Sequence, residues 1–315
     1  MAALRKLPAV VANCDWSNNP TKRWMATAVL CDRHYSVDAP VLVGDLSSLI
    51  QRAREFGSDE PQKDRRSVLL GFDFPIGIPR AYAEKSGIPE FIPFLRQLDR
   101  ESAFFTVCRD KDEICLQRPF YPHAPGDKRR DHLTQKLGIE FHQLLRVCEQ
   151  ARGGRGEAAA LFWTMGAKQV GKGAITGWRD VIAPALREGV SLLWPFEGSL
   201  SDLLEPVSTV IAETYPAAYY SDIFGGLDGS KTDQAVRARA AQAIGQWLEA
   251  RSQHLEISQE LAAQIEIGFS TGSDDAFDAV IGLFGMLDVL LGRRPEGKHP
   301  DPAQNGVEGW ILGQL

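Results

Sequence analysis

The chain has little of what would put it in a membrane or outside a cell. Its longest apolar run, Ala279–Leu287, is nine residues, about half of what a helix needs to span a bilayer. Met1–Pro8 lacks the apolar stretch of a secretory leader. The five cysteines, Cys14, Cys31, Cys108, Cys115 and Cys148, are scattered, odd in number and form no Cys-x-x-Cys pair. That argues against a disulfide framework or a zinc ribbon, and a reducing cytoplasm is expected. His34, His123, His132, His142 and His254 stand in no His-Glu-x-x-His pattern, so each reads as a solvated or hydrogen-bonded histidine. A net charge of −6 leaves no general basic coat for nucleic acid, though it does not exclude a local patch. There is no internal repeat and no Gly-x-Gly-x-x-Gly fingerprint.

What is present is a series of carboxylates at the ends of apolar segments. Ala9–Cys14 is a short apolar strand that delivers Asp15, and the turn cluster Trp16–Pro20 follows. Trp24–Cys31 and His34–Val43 are expected to complete an antiparallel meander. Asp45–Phe56 has the spacing of an amphipathic helix. Ser67–Asp73 is an unbroken apolar run ending on acid, as in a central parallel strand, whose C-terminal edge is where open α/β sheets hold ligands. Val190–Trp194 and Val207–Ala212 are further strands, and the second delivers Glu213. Asp131–Ala151, Lys231–Arg251 and Ser258–Ile267 read as helices, and Pro295–Gly306 as a mobile tail.

The last long helix, Ala276–Leu291, is apolar on every face and therefore buried. Asp274, Asp275 and Asp278 stand at its entrance. Asp278 is three residues from Asp275 and four from Asp274, so it shares a face with each. Asp274 and Asp275 also suit a helix N-terminus capped by Ser273. Asp278 does not, because it begins the second turn. Like charges gathered at a buried face need a proton or a cation to neutralise them. Asp15, Asp73, Glu213, Asp274, Asp275 and Asp278 are thus candidate ligands for Mg2+ or Mn2+, which prefer hard oxygen donors.

Residues 100–190 differ in charge, with 15 Lys and Arg against 11 Asp and Glu. Arg109, Lys128, Arg129 and Arg130 lie among Phe104, Phe105, Phe120 and Tyr121. That combination suits phosphate contact and base stacking, and equally a solvated loop over core aromatics. Gly166–Gly173 nearly spells a phosphate-binding loop, with Lys168 and Lys172 as candidate phosphate contacts. Gly173 replaces the hydroxyl that would reach Mg2+.

The order of these features resembles the RNase H-like nuclease fold, and the Asp275-x-x-Asp278-Ala279 opening resembles RuvC-type resolvases. More closely, the chain resembles the predicted RNase H-like nucleases known as domain of unknown function 429. The resemblance is carried by Cys14–Trp16, Gly71–Pro79, Gly171–Trp178, Trp194–Glu197, Glu213–Ala217, Asp274–Ala279 and Glu308–Ile311. It implies an α/β fold, with a mixed sheet of antiparallel meander and parallel strands flanked by helices. Residues 1–295 would form one domain, 80–190 a mostly helical, locally basic insertion, and 296–315 a tail. It also implies hydrolysis of nucleic-acid phosphodiesters by two metal ions and an attacking water. Asp15 would bridge the ions, Asp73 or Glu213 would hold one, and Asp275 and Asp278 would complete the other. The acids alone also admit other phosphate chemistry, such as a phosphatase or nucleotide-dependent transferase, or a non-catalytic binding module.

Overall fold

The computed structural model describes residues 6–56, 66–124, 126, 129–151, 157–166, 169–269, 274–301, 303 and 305–314. Its strands are β1 (Val10–Asp15), β2 (Trp24–Cys31), β3 (His34–Val37), β4 (Val41–Leu42), β5 (Val68–Phe72), β6 (Leu192–Leu193), β7 (Thr209–Glu213) and β8 (Leu255–Ile257). They form one mixed sheet in the order β6-β7-β5-β1-β2-β3-β8, with β4 also paired to β2. β2 is antiparallel to β1 and β3, whereas β5 runs parallel to β1, and β7 to β5. The three central strands read VVANCD, VLLGF and TVIAE, and every residue in them is buried. Side chains alternate between the two faces of a strand, so such runs require cover on both faces.

The chain divides into two compact units. The first comprises Met1–Asp73, Ser191–Gly297 and Ile311–Leu315 and holds the sheet. Its main cover is the helix Asp274–Leu290, in which every residue from Ala276 to Leu290 is buried. Close packing here depends on small residues. A Cβ on Gly71 would lie 2.5 Å from Met286 Sδ, and one on Gly282 would lie 2.1 Å from Asn13 Nδ2. Near the chain's end, Ile311 makes a single parallel bridge to Glu213.

The second unit comprises Phe74–Val190 and Lys298–Trp310 and is largely helical. Its helix Val170–Gly177 continues through one wide turn, Trp178–Ile182, into Ala183–Glu188. Buried Arg146 pairs with Glu149 at 2.9 Å and donates to the carbonyls of Ile76 and Glu308. Gly77, at φ 133°, lies where any Cβ would meet the Glu308 carbonyl oxygen at 2.1 Å.

Several boundaries differ from the periodicity reading. The strand expected over 34–43 is broken into β3 and β4 around Pro40, which has no N–H for a ladder. The helix expected from Asp45 starts at Leu49, because the Asp45 carboxylate takes hydrogen bonds from Ser47 and Ser48 and folds 45–48 into a turn. The helix Asp131–Leu137 stops at Gly138, at φ 62°, and only short turns follow to residue 149. The long helix expected from Lys231 is two pieces, Gln234–Arg239 and Ala241–Glu249, capped by Asp233, and Lys231 lies in the preceding turn. Among the described residues, no helix is long and apolar enough to cross a membrane.

Candidate active site

The acids meet because three elements end at one place in the first unit. β1 and β5 run side by side in parallel, with Cys14 opposite Phe72, so Asp15 and Asp73 leave the sheet together. The charge of each carboxyl's neighbours bears on it, that of Asp73 on Asp15 above all. Asp73 Oδ1 also accepts the Trp16 amide at 2.6 Å. The helix Asp274–Leu290 crosses the same strands. Asn13 Nδ2 donates to the Ala279 carbonyl at 3.0 Å, and Thr214 Oγ1 donates to Asn13 Oδ1 at 2.7 Å. These bonds hold the first turns of the helix over the end of β1, where Asp278 and Asp275 both act on Asp15 electrostatically.

The cluster contains a cation that the sequence reading missed. Lys231 Nζ pairs with Asp278 Oδ2 and lies 3.5 Å from Asp274 Oδ2. Tyr220, in the helix Tyr220–Phe224, donates its hydroxyl to Asp278 Oδ1. Both oxygens of Asp278 therefore hold donors. Lys231 is itself positioned. Buried Arg237 donates to the Lys231 carbonyl and to the carbonyls of Gly268 at 2.9 Å and Phe269 at 3.3 Å. One signal for Lys231 was in the sequence: Asp233 is a good N-cap, and starting the helix after it leaves Lys231 in the Gly-rich loop. Tyr220 had no comparable signal.

Negative charge remains in excess, with five carboxyls against the ammonium of Lys231 and that of Lys22, which acts on Asp275. Burial first, then the charges of Asp73, Asp278 and Asp275, pushes the Asp15 carboxyl well above the usual carboxylate range. Burial lifts Asp73 to about 7 despite the Trp16 hydrogen bond. Asp275 is raised by burial and by Asp274. Asp278 is raised by burial, against the pull of Lys231 and Tyr220. Burial works against the charged form of Lys231, but Asp278 outweighs it, and the ammonium's pKa lies above the ordinary lysine value. Cys14, buried beneath these acids, has its thiol pushed up by desolvation and by Asp73 and Asp15, and so is a poor nucleophile.

Glu213 does not join the group. Asn13, Gly71 and Thr214 face the helix Asp274–Leu290. Alternation along β7 therefore turns Glu213, one residue before Thr214, to the other face of the sheet. Its strand end was legible, but its facing depends on register, which only the pairing of Glu213 with Phe72 reveals.

The basic candidates lie in the second unit. Arg109 pairs with Glu113 at 2.8 Å, and Arg118 pairs with the same carboxylate at 2.9 Å. Arg129 and Arg130 are exposed, and the Arg130 guanidinium lies 4.6 Å from the Phe141 ring centroid. Lys128, Lys168 and the Ser273 cap fall outside the described residues. Phe104, Phe105, Phe120 and Tyr121 are buried; they form core rather than a stacking platform. The near phosphate-loop is not a cradle at its described end. Gly171 donates its amide to the Trp163 carbonyl at 2.8 Å, and those of Lys172 and Gly173 point to Gln169. Gly268–Gly272 spells Gly-x-Ser-x-Gly, but it follows the helix Gln259–Ile267 and not a strand, so it lacks the context of a nucleophile elbow.

No family model matches the chain, and no curated protein or solved structure matches it either. Among the described residues, no group of three or more His, Cys, Asp or Glu side chains is arranged to hold a metal ion. In the arrangement seen, Asp278 carries Lys231 and Tyr220, while Asp15 and Asp73 stand side by side at the ends of β1 and β5. The donor set nevertheless suits a hard divalent cation. It offers carboxylate oxygens from separate elements whose charges bear on one another, and hard oxygen donors are the chemistry Mg2+ and Mn2+ select.

Proposed function

We propose that the protein is a metal-dependent nuclease that hydrolyses phosphodiester bonds at the Asp15–Asp73–Asp278 cluster. One observation carries the reading: carboxylates separated by more than two hundred residues in sequence interact at the exit of β1 and β5. Acids gathered at this energetic cost are commonly functional. The strand order β3-β2-β1-β5-β7, with β2 antiparallel to its neighbours and β5 and β7 parallel to β1, supports an RNase H-like sheet. The resemblance to the nucleases of domain of unknown function 429, with 80–190 as a helical insertion, is carried as part of this proposal.

Asp15, Asp73 and Asp275 would hold Mg2+ or Mn2+, with Asp278 beside them. When bound, such an ion polarises a phosphoryl oxygen and makes water more acidic. The chain's own groups do the rest. The Trp16 amide fixes Asp73, Tyr220 and Lys231 fix Asp278, and the Asn13 bond holds the helix to the strand. Exposed Arg129 and Arg130 are candidate contacts for the nucleic-acid backbone.

The test is hydrolysis by purified full chain with Mg2+ or Mn2+. The substrates are single- and double-stranded DNA, RNA, a branched junction and a phosphomonoester. Wild type should cleave at least one polynucleotide, and Asp15→Asn and Asp278→Asn should lose that activity. Equal cleavage by all three proteins would assign the activity to a contaminant. Turnover of the monoester alone would replace the nuclease reading with phosphatase chemistry.

A further inference from the structure

Resting on the metal-dependent reading above, we infer that Lys231 is a resident cation whose ammonium fills the Asp274–Asp278 half of the cluster. The site therefore takes one divalent ion, at the Asp15–Asp73 half, rather than two.

Three observations converge on this assignment. The first is occupancy. Lys231 Nζ pairs with Asp278 Oδ2 and lies 3.5 Å from Asp274 Oδ2, while Tyr220 donates to Asp278 Oδ1. A carboxylate whose two oxygens already accept a cationic N–H and a phenolic O–H has little left to offer a second metal ion. The second is construction. A surface lysine fixed in one geometry loses rotamer freedom, so its position needs support. Arg237 supplies that support by tying the Lys231 carbonyl to those of Gly268 and Phe269, on the segment that leads toward the closing helix. The Asp233 side chain takes the Ala235 amide at 2.9 Å and starts the next helix at Gln234, three residues after Lys231. The third is contrast within the cluster. Asp15 and Asp73 leave adjacent parallel strands side by side, and the charge of Asp73 bears on Asp15; among the described residues, no side-chain cation is paired to either in the way Lys231 is paired to Asp278. A divalent ion can neutralise that pair. At Asp278 the position is already held by a charge built into the chain. An ammonium and a second divalent ion at one carboxylate pair would also repel each other in a partly desolvated site.

Lys231 is thus a positioning residue that sets the metal count of the site.

The test counts Mn2+ by titration calorimetry and by electron paramagnetic resonance, on full-length wild type, Lys231→Met and Lys231→Arg, with thermal unfolding to verify each fold. Wild type and Lys231→Arg should bind one Mn2+ per chain with the spectrum of an isolated ion. Lys231→Met should bind two, with the spectrum of a spin-coupled pair. Two ions in wild type would overturn the inference and leave the metal-dependent reading standing. One ion in both wild type and a folded Lys231→Met would also overturn it, because something other than the lysine would then set the count. No Mn2+ bound by wild type would overturn the inference and the metal-dependent reading together.

Discussion

Asn13 and Ala279, at opposite ends of the sequence, are joined by a 3.0 Å hydrogen bond from the strand's side-chain amide to the helix carbonyl. The bond lies next to both carboxylates that matter most, two residues before Asp15 and one after Asp278. It fits because Gly282, a turn further along the helix, leaves space for Asn13. A Cβ there would sit 2.1 Å from Asn13 Nδ2. Gly282→Ala must push the helix away or displace Asn13. We expect a loss of stability of about 1–3 kcal/mol, the usual penalty for overpacking a core. Hydrolysis should fall with it, because Asp278 moves off Asp15. Urea unfolding and rate measurements check both. An unaltered midpoint would mean that the contact is looser than the geometry states.

A carboxylate kept for stability and one kept for chemistry respond oppositely to neutralisation. Burial and three neighbouring acids hold Asp15 well above its usual range, so its charge destabilises the cation-free fold. Asp15→Asn keeps the shape and removes the charge. Without divalent ions at pH 8, the variant should be more stable than wild type by roughly 1–2 kcal/mol, while hydrolysis is lost. A lower melting temperature for Asp15→Asn would identify the residue as structural.

The same acids set a pH dependence. Asp73 titrates at about 7 in the folded chain against 3.8 when unperturbed. Because the folded value is the higher one, its stabilising contribution is complete below about pH 4 and is lost as pH rises through 7. Asp15, Asp275 and Asp278 are raised as well and act in the same direction. Cation-free protein should therefore lose stability between pH 5 and pH 8, by on the order of 3 kcal/mol. Millimolar Mg2+ should restore much of that loss at pH 8 and add little at pH 5. Denaturant midpoints across this range decide the point. A profile that rises from pH 5 to 8 would contradict the raised carboxyls.

How much of this was legible in the sequence depends on the range of the interaction. β1, β2, β5, β7 and the closing helix announced themselves through runs of apolar residues, and Asp15, Asp73 and Asp278 through their places at the ends or entrances of those runs. Breaks made by local hydrogen bonding were harder to see. Asp45 folds its neighbours into a turn and Asp233 starts a helix late, and neither changes the apolar period. Facing was not legible at all for Glu213, since a one-residue difference in register reverses a strand's side chains. Lys231 and Tyr220 reach Asp278 from 47 and 58 residues away, a distance over which periodicity carries no information. Val68–Phe72 shows the opposite case, in which an unbroken apolar run alone pointed to a central strand buried on both faces.

Arg237 offers a way to disturb the site without touching a carboxylate. Its guanidinium is buried and donates to the carbonyls of Lys231, Gly268 and Phe269. Arg237→Ala leaves those three acceptors without their charged donor, at a cost of roughly 3 kcal/mol or more. Arg237→Lys keeps the charge but lacks the planar fork that reaches several carbonyls at once, so it should recover only part of the stability. Both variants loosen the turn that carries Lys231, and the ammonium's grip on Asp278 should weaken in proportion. We therefore expect hydrolysis to fall by about tenfold or more in Arg237→Ala, beyond what the unfolded fraction explains, with an intermediate rate for Arg237→Lys. Rates measured below the unfolding transition separate the two effects. If Arg237→Ala is destabilised but turns over at the wild-type rate, Lys231 does not need its anchor, and the turn holds its shape by other bonds.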